Sequence, residues 1–216
     1  MRGEIKYIEN KVANDFLLPK HYSGRKPQIT VAFGWYVDNI LSAVCTFGKP
    51  ASNTLCDGIC GKEYSKDVYE LNRLCRVDDF NEQLSQFVSA CIRRLSLRNW
   101  IIVSYSDSAM SHNGYIYQAC NFIYTGITKE RKEFYVEGGH SRHGNKDSNL
   151  RQIRTAKHRY VFFATKTRFI KAEWKKNFNY PVLPYPKGEN KNYILGDYIK
   201  PQIVLKEQKC VGKNNY

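Results

Sequence analysis

The chain predicts an α/β (α+β) fold: one mixed, mostly antiparallel sheet flanked by helices. Three observations carry this. Phe80, Leu84, Phe87, Val88, Cys91, Ile92 and Leu95 recur at helical spacing and fall on one face. Around that helix lie short runs of β-branched and aromatic residues at 29–37, 40–47, 68–76 and 100–105. The order strand, strand, strand, helix, strand, helix, strand suits a sheet with helices packed against it.

In chain order, residues 10–18 predict a short helix closed by Pro19. His21-Tyr22-Ser23-Gly24-Arg25 reads as a turn. Residues 29–37 and 40–47 form a hairpin through Asp38-Asn39. Gly48, Pro50, Gly58 and Gly61 mark a loop before the strand at 68–76. The amphipathic helix is expected to begin near Phe80, with Asp79 and Glu82 as a capping box. The strand at 100–105 ends in the polar turn Ser106-Asp107-Ser108. A second helix over 112–122 is expected to point Ile116, Ala119, Cys120 and Ile123 inward. Tyr124-Thr125-Gly126 leads to another strand. Residues 138–150, rich in Gly, Ser, Asn and charge, read as a loop. Residues 159–164 form a strand, and three prolines keep 179–188 extended.

A length of 216 residues with 42% apolar content allows one sizeable core. No apolar run approaches the roughly 20 residues needed to span a bilayer. Met1-Arg2-Gly3-Glu4-Ile5-Lys6 lacks a signal peptide's apolar stretch, so a soluble, intracellular protein is expected. The seven cysteines, an odd number, read as reduced thiols rather than a disulfide framework. Cys56 with Cys60, and His140 with His143, do not have the spacing of a structural zinc site.

The net charge of +14 is unevenly placed: residues 1–128 hold 14 Lys and Arg against 12 Asp and Glu, residues 129–216 hold 20 against 8. The expected organisation is a catalytic core over 1–128 and a basic part over 129–216 that completes the sheet, both in one integrated domain. Arg151, Arg154, Lys157, Arg159, Lys166, Arg168 and Lys171 are interleaved with Tyr160, Phe162, Phe163, Phe169 and Trp174. Cations neutralise phosphates and aromatic faces stack on bases, so this mixture points to nucleic acid. A solvated basic face over core aromatics is the plainer alternative.

Candidate chemistry concentrates near the central strands. Asp107 ends a strand on a polar turn, where α/β folds place active groups, and could serve as a base or a metal ligand. Glu70 sits among apolar neighbours, where burial would raise its pKa toward that of a general base. Tyr117 could donate a proton, and Ser104 a hydrogen bond. His21 and His112 could titrate near neutrality or join Asp107 around a metal ion. A turn or cap aspartate, a salt bridge from Glu70 to Arg73, a packed tyrosine and structural histidines are the competing readings.

These elements resemble the second half of the GNAT acetyltransferase fold, in which a central strand feeds a helix whose N-terminus receives the pyrophosphate of acetyl-CoA. The following strand splays away. The resemblance implies an acetyl-CoA or related donor held near Asn72, Arg73, Leu74, Cys75, Arg76 and Asn81. Ile116-Tyr117-Gln118-Ala119-Cys120-Asn121-Phe122 is similar to the family's Leu-Tyr-x-x-x-Gly-Phe pattern, which makes Tyr117 its general acid. One departure is plain. The family's glycine-rich loop is replaced by Arg76-Val77-Asp78-Asp79-Phe80-Asn81, whose aspartates would repel a phosphate.

Further stretches resemble the Mom family of phage DNA-adenine modification proteins, a divergent GNAT-like group. They include His21-Tyr22-Ser23-Gly24, Glu70-Leu71-Asn72-Arg73-Leu74, Ser104-Tyr105-Ser106-Asp107, Gly114-Tyr115-Ile116-Tyr117 and Tyr180-Pro181-Val182-Leu183-Pro184-Tyr185-Pro186-Lys187. The resemblance implies conversion of adenine N6 in double-stranded DNA to a methylcarbamoyl derivative, in the cytoplasm of a bacterial host, which protects phage DNA from restriction. Such an enzyme must extrude the base from the stack or act where it is already exposed. An N-acetyltransferase acting on a small-molecule or protein amine, and a non-catalytic DNA-binding protein, remain as alternatives.

Overall fold

The computed structural model describes residues 3–21, 23–136, 148–188 and 202–205. It holds a seven-stranded sheet in the order β1-β2-β3-β4-β5-β9-β6 and a three-stranded sheet in the order β10-β8-β7, made of β7 (Arg131–Phe134), β8 (Leu150–Arg154) and β10 (Ile203–Leu205). The large sheet comprises β1 (Glu4–Tyr7), β2 (Val31–Val37), β3 (Ile40–Gly48), β4 (Val68–Arg76), β5 (Trp100–Asp107), β6 (Ile123–Ile127) and β9 (Lys157–Ala164). Only β4 and β5 run parallel, and every other neighbouring pair is antiparallel. This is the mixed arrangement that the GNAT resemblance implies. The basic C-terminal part enters it directly, because β9 lies between β5 and β6.

The β2–β3 turn places Asp38 and Asn39 at φ 49° and 65°, the paired left-handed conformation that favours these residues in a tight hairpin. Strand alternation then sorts side chains to two faces. Phe33, Trp35, Cys45, Phe47 and Ile102 face α3 (Leu84–Leu95), which buries Phe87, Val88, Cys91, Ile92 and Leu95 against them. Trp35 packs edge-on against Phe80, with ring centroids 5.0 Å apart. The opposite face carries two smaller clusters. Ala32 and Val44 receive α1 (Asn10–Leu17) through Ala13, Phe16 and Leu17. Val68, Ile101, Val103, Val161 and Phe163 receive α2 (Asn53–Cys60) through Ile59, and α5 (Arg168–Lys176) through Trp174.

Several expectations are corrected here. The loop expected around Gly58 is α2, capped by Ser52, whose hydroxyl accepts from Leu55 N–H at 3.2 Å. Helix α3 starts at Leu84 rather than Phe80, and the Asp79–Glu82 capping box does not form, since Gln83 is the N-cap residue and its side chain makes no cap bond. The reason is local: the Arg76 guanidinium donates to the carbonyls of Val77, Asp78 and Phe80 and gathers them into a turn before the helix. The second helix, α4 (Tyr115–Ala119), is shorter than expected, bracketed by Gly114 at φ 74° and Asn121 at φ 59°. His112 therefore lies before it, Ala119 is exposed, and Ile123 begins β6. The loop expected over 138–150, with His140 and His143, falls mainly outside the described residues. Among the described residues no helix is long and apolar enough to cross a membrane.

Residues 179–188 are extended and strap the edge of the sheet. Leu183 N–H donates to Tyr124 O at 3.0 Å, and Tyr185 O–H to Phe122 O at 2.8 Å. Gly114 is a second fixed point, because a Cβ there would lie 2.4 Å from the Tyr160 ring in a backbone conformation that L-residues avoid. Gly114→Ala is expected to lower stability by about 2 kcal/mol or more through strain and the clash. A thermal melt followed by far-UV circular dichroism measures it.

Candidate functional site

Strands β4 and β5 pair over four positions only, ending at Leu71 opposite Ser104. Beyond that, β4 stays with β3 and β5 stays with β9. A gap between parallel strands leaves backbone groups without ladder partners, and each must be satisfied locally. Ser104 Oγ, fully buried, donates to Leu71 O at 2.9 Å at the parting. On β4 a bulge falls at Asn72, whose amide donates to Gln28 O at 2.8 Å while its Oδ1 accepts from Thr46 Oγ1 at 2.6 Å. Ser104 and Asn72 thus hold the cleft open.

The cleft has a volume of about 780 Å³ and passes through the sheet. On the α3 side it is lined by Leu74, Arg76, Asp78, Leu84, Ile116 and Tyr117. On the other side Tyr105 and Asp107 follow Ile101 and Val103 at period two on β5, so they share one face. Arg159 and Lys157 lie opposite them on β9, and Glu70 and Arg73 line the same cleft from β4. His21, following α1, and His112, preceding α4, complete the walls.

The two carboxylates meet opposite electrostatic conditions. Burial pushes the Glu70 carboxyl above the usual range, and the cations of Arg73, Lys157 and Arg154 offset this only in part. Burial alone would also raise Asp107. It is held below the usual range instead, by the Lys157 ammonium 3.0 Å from Oδ2, the Thr155 hydroxyl donating to Oδ1 at 2.7 Å, and Ala109 N–H donating to Oδ1 at 3.1 Å. Asp107 is consequently an anchored anion, whereas Glu70 is poised to take up a proton.

His21 is pushed down to about 3, first by burial and then by Arg73, Lys157 and His112, so its ring is neutral. Its Nδ1 accepts Ser23 N–H at 3.1 Å, which leaves the ring proton on Nε2. Tyr117 packs against Phe122 and Tyr160 with centroids 5.4 Å away in each case. The Arg159 guanidinium carbon lies 3.6 Å from the centre of the Tyr180 ring, and its Nε donates to Thr125 Oγ1 at 2.8 Å.

Of the residues singled out from sequence, Asp107, Tyr117, Glu70, His21 and His112 line one cleft, together with Asn72, Arg73, Leu74, Cys75, Arg76, Arg154, Lys157 and Arg159. Ser104 sits behind it, and Asn81 is exposed outside it. Arg151 lies on the small sheet, and Lys166, Arg168 and Lys171 lie beyond the far end of β9. Among the described residues no group of three His, Cys, Asp or Glu side chains is close enough to hold a metal ion. Sequence reasoning missed Tyr105, Thr155 and Tyr180. The first was accessible, being two residues before Asp107 on the same strand; Thr155 and Tyr180 reach the site only through tertiary packing.

The loop preceding α3 is also informative. The Arg76 guanidinium is committed to three loop carbonyls, and Asp78 lies on the cleft wall, where its carboxylate opposes the pyrophosphate of a CoA-type donor.

Two stability effects follow from the carboxylates. A carboxyl whose folded pKa is raised costs stability once the pH exceeds its ordinary value, fully so above the folded pKa. Glu70→Gln should therefore raise the melting temperature at pH 7, and the gain should vanish below about pH 4. Asp107 has the opposite sign: its contribution is present above the ordinary value near 4 and disappears as the pH falls through its lower folded value. Asp107→Asn should melt earlier than the wild type at pH 7, and the difference should close under acid. Melting curves between pH 2.5 and 8 test both.

Comparison with known proteins places these residues in context. The sequence profile described as the Mom protein family matches residues 2–149. No curated protein matches the chain. Among solved structures, an N-acetyltransferase from Staphylococcus aureus Mu50 is similar at 11% identity and a TM-score of 0.49, over 76% of this chain and 100% of that one. A Bacillus subtilis acetyltransferase in complex with CoA is similar at 14% identity and a TM-score of 0.45, over 75% and 99%. The ribosomal-protein-S18-alanine N-acetyltransferase from Escherichia coli gives 11% and 0.46, over 76% and 96%.

Proposed function

The chain belongs to the Mom protein family, and on that premise we propose that it is a transferase that modifies the exocyclic N6 amine of adenine in DNA, giving the methylcarbamoyl derivative that shields phage DNA from restriction. One observation carries the reading: a carboxylate with a raised pKa, Glu70, shares a through-sheet cleft with an anchored cationic cluster and with Tyr117. An aromatic amine is a weak nucleophile and gains from a base that removes its proton as the new bond forms. Glu70 fills that role. Lys157, fixed by Asp107, together with Arg73 and Arg159, favours an anionic nucleotide, and Tyr105 and the Arg159–Tyr180 pair line the wall beside an extruded base. As the N6–C bond forms and the donor's bond from that carbon to its leaving group breaks, Glu70 takes the N6 proton, and Tyr117, on the opposite wall, is placed to give a proton to the group that departs with the bonding electrons. Asp107 acts as a positioning residue, since Thr155, Ala109 and Lys157 engage its oxygens.

The test is chemical. DNA from bacteria making the protein is digested to nucleosides and analysed by mass spectrometry; a modified deoxyadenosine is expected. Glu70→Gln should cut its yield by 10²–10⁴-fold while the protein remains folded. Unaltered deoxyadenosine from cells making folded wild-type protein would sink the proposal. An acetylated small amine formed in its place would indicate an ordinary N-acetyltransferase.

A further inference from the structure

Glu70 and Tyr105 meet where β4 and β5 part. Val68 and Glu70 alternate along β4 as Ile101, Val103 and Tyr105 do along β5, so these side chains share the face that carries α2. Glu70 pairs with Val103, and Leu71 opposite Ser104 is the last pair. Tyr105 is therefore the first side chain on that face of β5 past the parting. It flanks Glu70, and both line the cleft. Arg159 stands opposite Tyr105 across the β5–β9 ladder.

The Tyr105 hydroxyl differs from those of Tyr124, Tyr160 and Tyr185. Tyr160 donates to Asn113 O, Tyr185 to Phe122 O, and Tyr124 bonds the His158 ring. Tyrosine hydroxyls withdrawn from water ordinarily find such partners. Among the described residues, neither the Tyr105 hydroxyl nor the Glu70 carboxyl forms a hydrogen bond. Burial, and after it the charge of Glu70, pushes the Tyr105 pKa up. The hydroxyl thus keeps its proton through the neutral range and sets a donor beside the Glu70 acceptor.

We propose that Tyr105 is a specificity-determining residue, whose hydroxyl donates to the ring nitrogen beside the target amine while Glu70 accepts from the amine itself. This rests on the adenine reading above. Adenine presents its N6 amine next to an acceptor, N1 on one edge and N7 on the other, and an acceptor with a donor in the protein complements either edge. Guanine would turn O6, and thymine O4, toward the Glu70 carboxylate, so both are repelled. Cytosine carries the same amine and acceptor, so the pair sorts amino bases from oxo bases. As Glu70 takes the N6 proton, the electron pair left on nitrogen spreads into the ring. The ring nitrogen then becomes a stronger acceptor for Tyr105, which keeps its own proton.

Tyr105→Phe removes a hydroxyl that bonds nothing in the protein, so its melting temperature should match the wild type. Its yield of modified deoxyadenosine in bacterial DNA should fall about 10²-fold. A second measurement responds to recognition and not to folding: affinity for a single-stranded deoxyadenosine oligomer carrying 1-deazaadenine or 7-deazaadenine throughout. Wild-type protein should bind one of the two about tenfold more weakly than the parent oligomer, whereas Tyr105→Phe should bind that analogue and the parent alike. The penalised analogue identifies the edge that is read. A folded Tyr105→Phe with wild-type yield, a wild type that penalises neither analogue, or a variant that keeps the penalty overturns the assignment while the adenine reading stands. Where Tyr105→Phe melts early, the wild-type comparison of analogues decides alone. Unaltered deoxyadenosine from cells making folded wild-type protein overturns both readings.

Discussion

The parting of β4 from β5 after four residue pairs is the constraint from which the rest of the molecule follows. A parallel pair in a sheet centre is ordinarily buried and continuous, and opening it removes ladder bonds that water cannot replace in the interior. The chain meets that demand from its own side chains. Ser104 takes the Leu71 carbonyl, and Asn72, displaced by a bulge, ties β4 to β3 and to the segment at Gln28. The result is a passage from one face of the sheet to the other, with helices α3 and α4 on one side and α1 and α2 on the other.

Within that passage, two carboxylates of the same intrinsic acidity are driven apart by what surrounds them. Asp107 gains an ammonium, a hydroxyl and a backbone N–H, each satisfying an oxygen. Glu70 gains mostly desolvation, with its cations acting at longer range. Separation of this kind is what lets one site contain both a fixed charge and a mobile proton. The anchored Asp107 also joins the end of β5 to the turn between β8 and β9, so electrostatics and architecture coincide at one residue.

Much of this was readable from sequence. The strand at Val68–Arg76 matches in full, and the hairpin turn is placed at Asp38-Asn39, because period two and turn chemistry are local signals. The apolar face of α3 was legible, but its start was not, since the capping pattern at Asp79 and Glu82 competes with an arginine that gathers nearby carbonyls. Helix α2 was hidden by Gly58 and Gly61, although Leu55, Cys56, Ile59 and Cys60 carry helical spacing and Ser52 is a good cap. The site's membership was visible in residue types that bear chemistry. Their roles were not, because the contrast between Asp107 and Glu70 arises from Lys157 and Thr155, which arrive from a distant strand and turn.

The place of β9 in the sheet has a consequence for biogenesis. All eight of its residues pair with β5, and it alone bridges β5 to β6. Until it has left the ribosome, those two strands remain open edges, with Val103 and Ile101 still lacking Val161 and Phe163 beside them. Such edges invite pairing with other chains, so the nascent polypeptide is exposed to misassembly for much of its synthesis. The cations that flank Asp107 arrive with the same late strand, and the centre therefore gains its charge pattern in the step that closes the core.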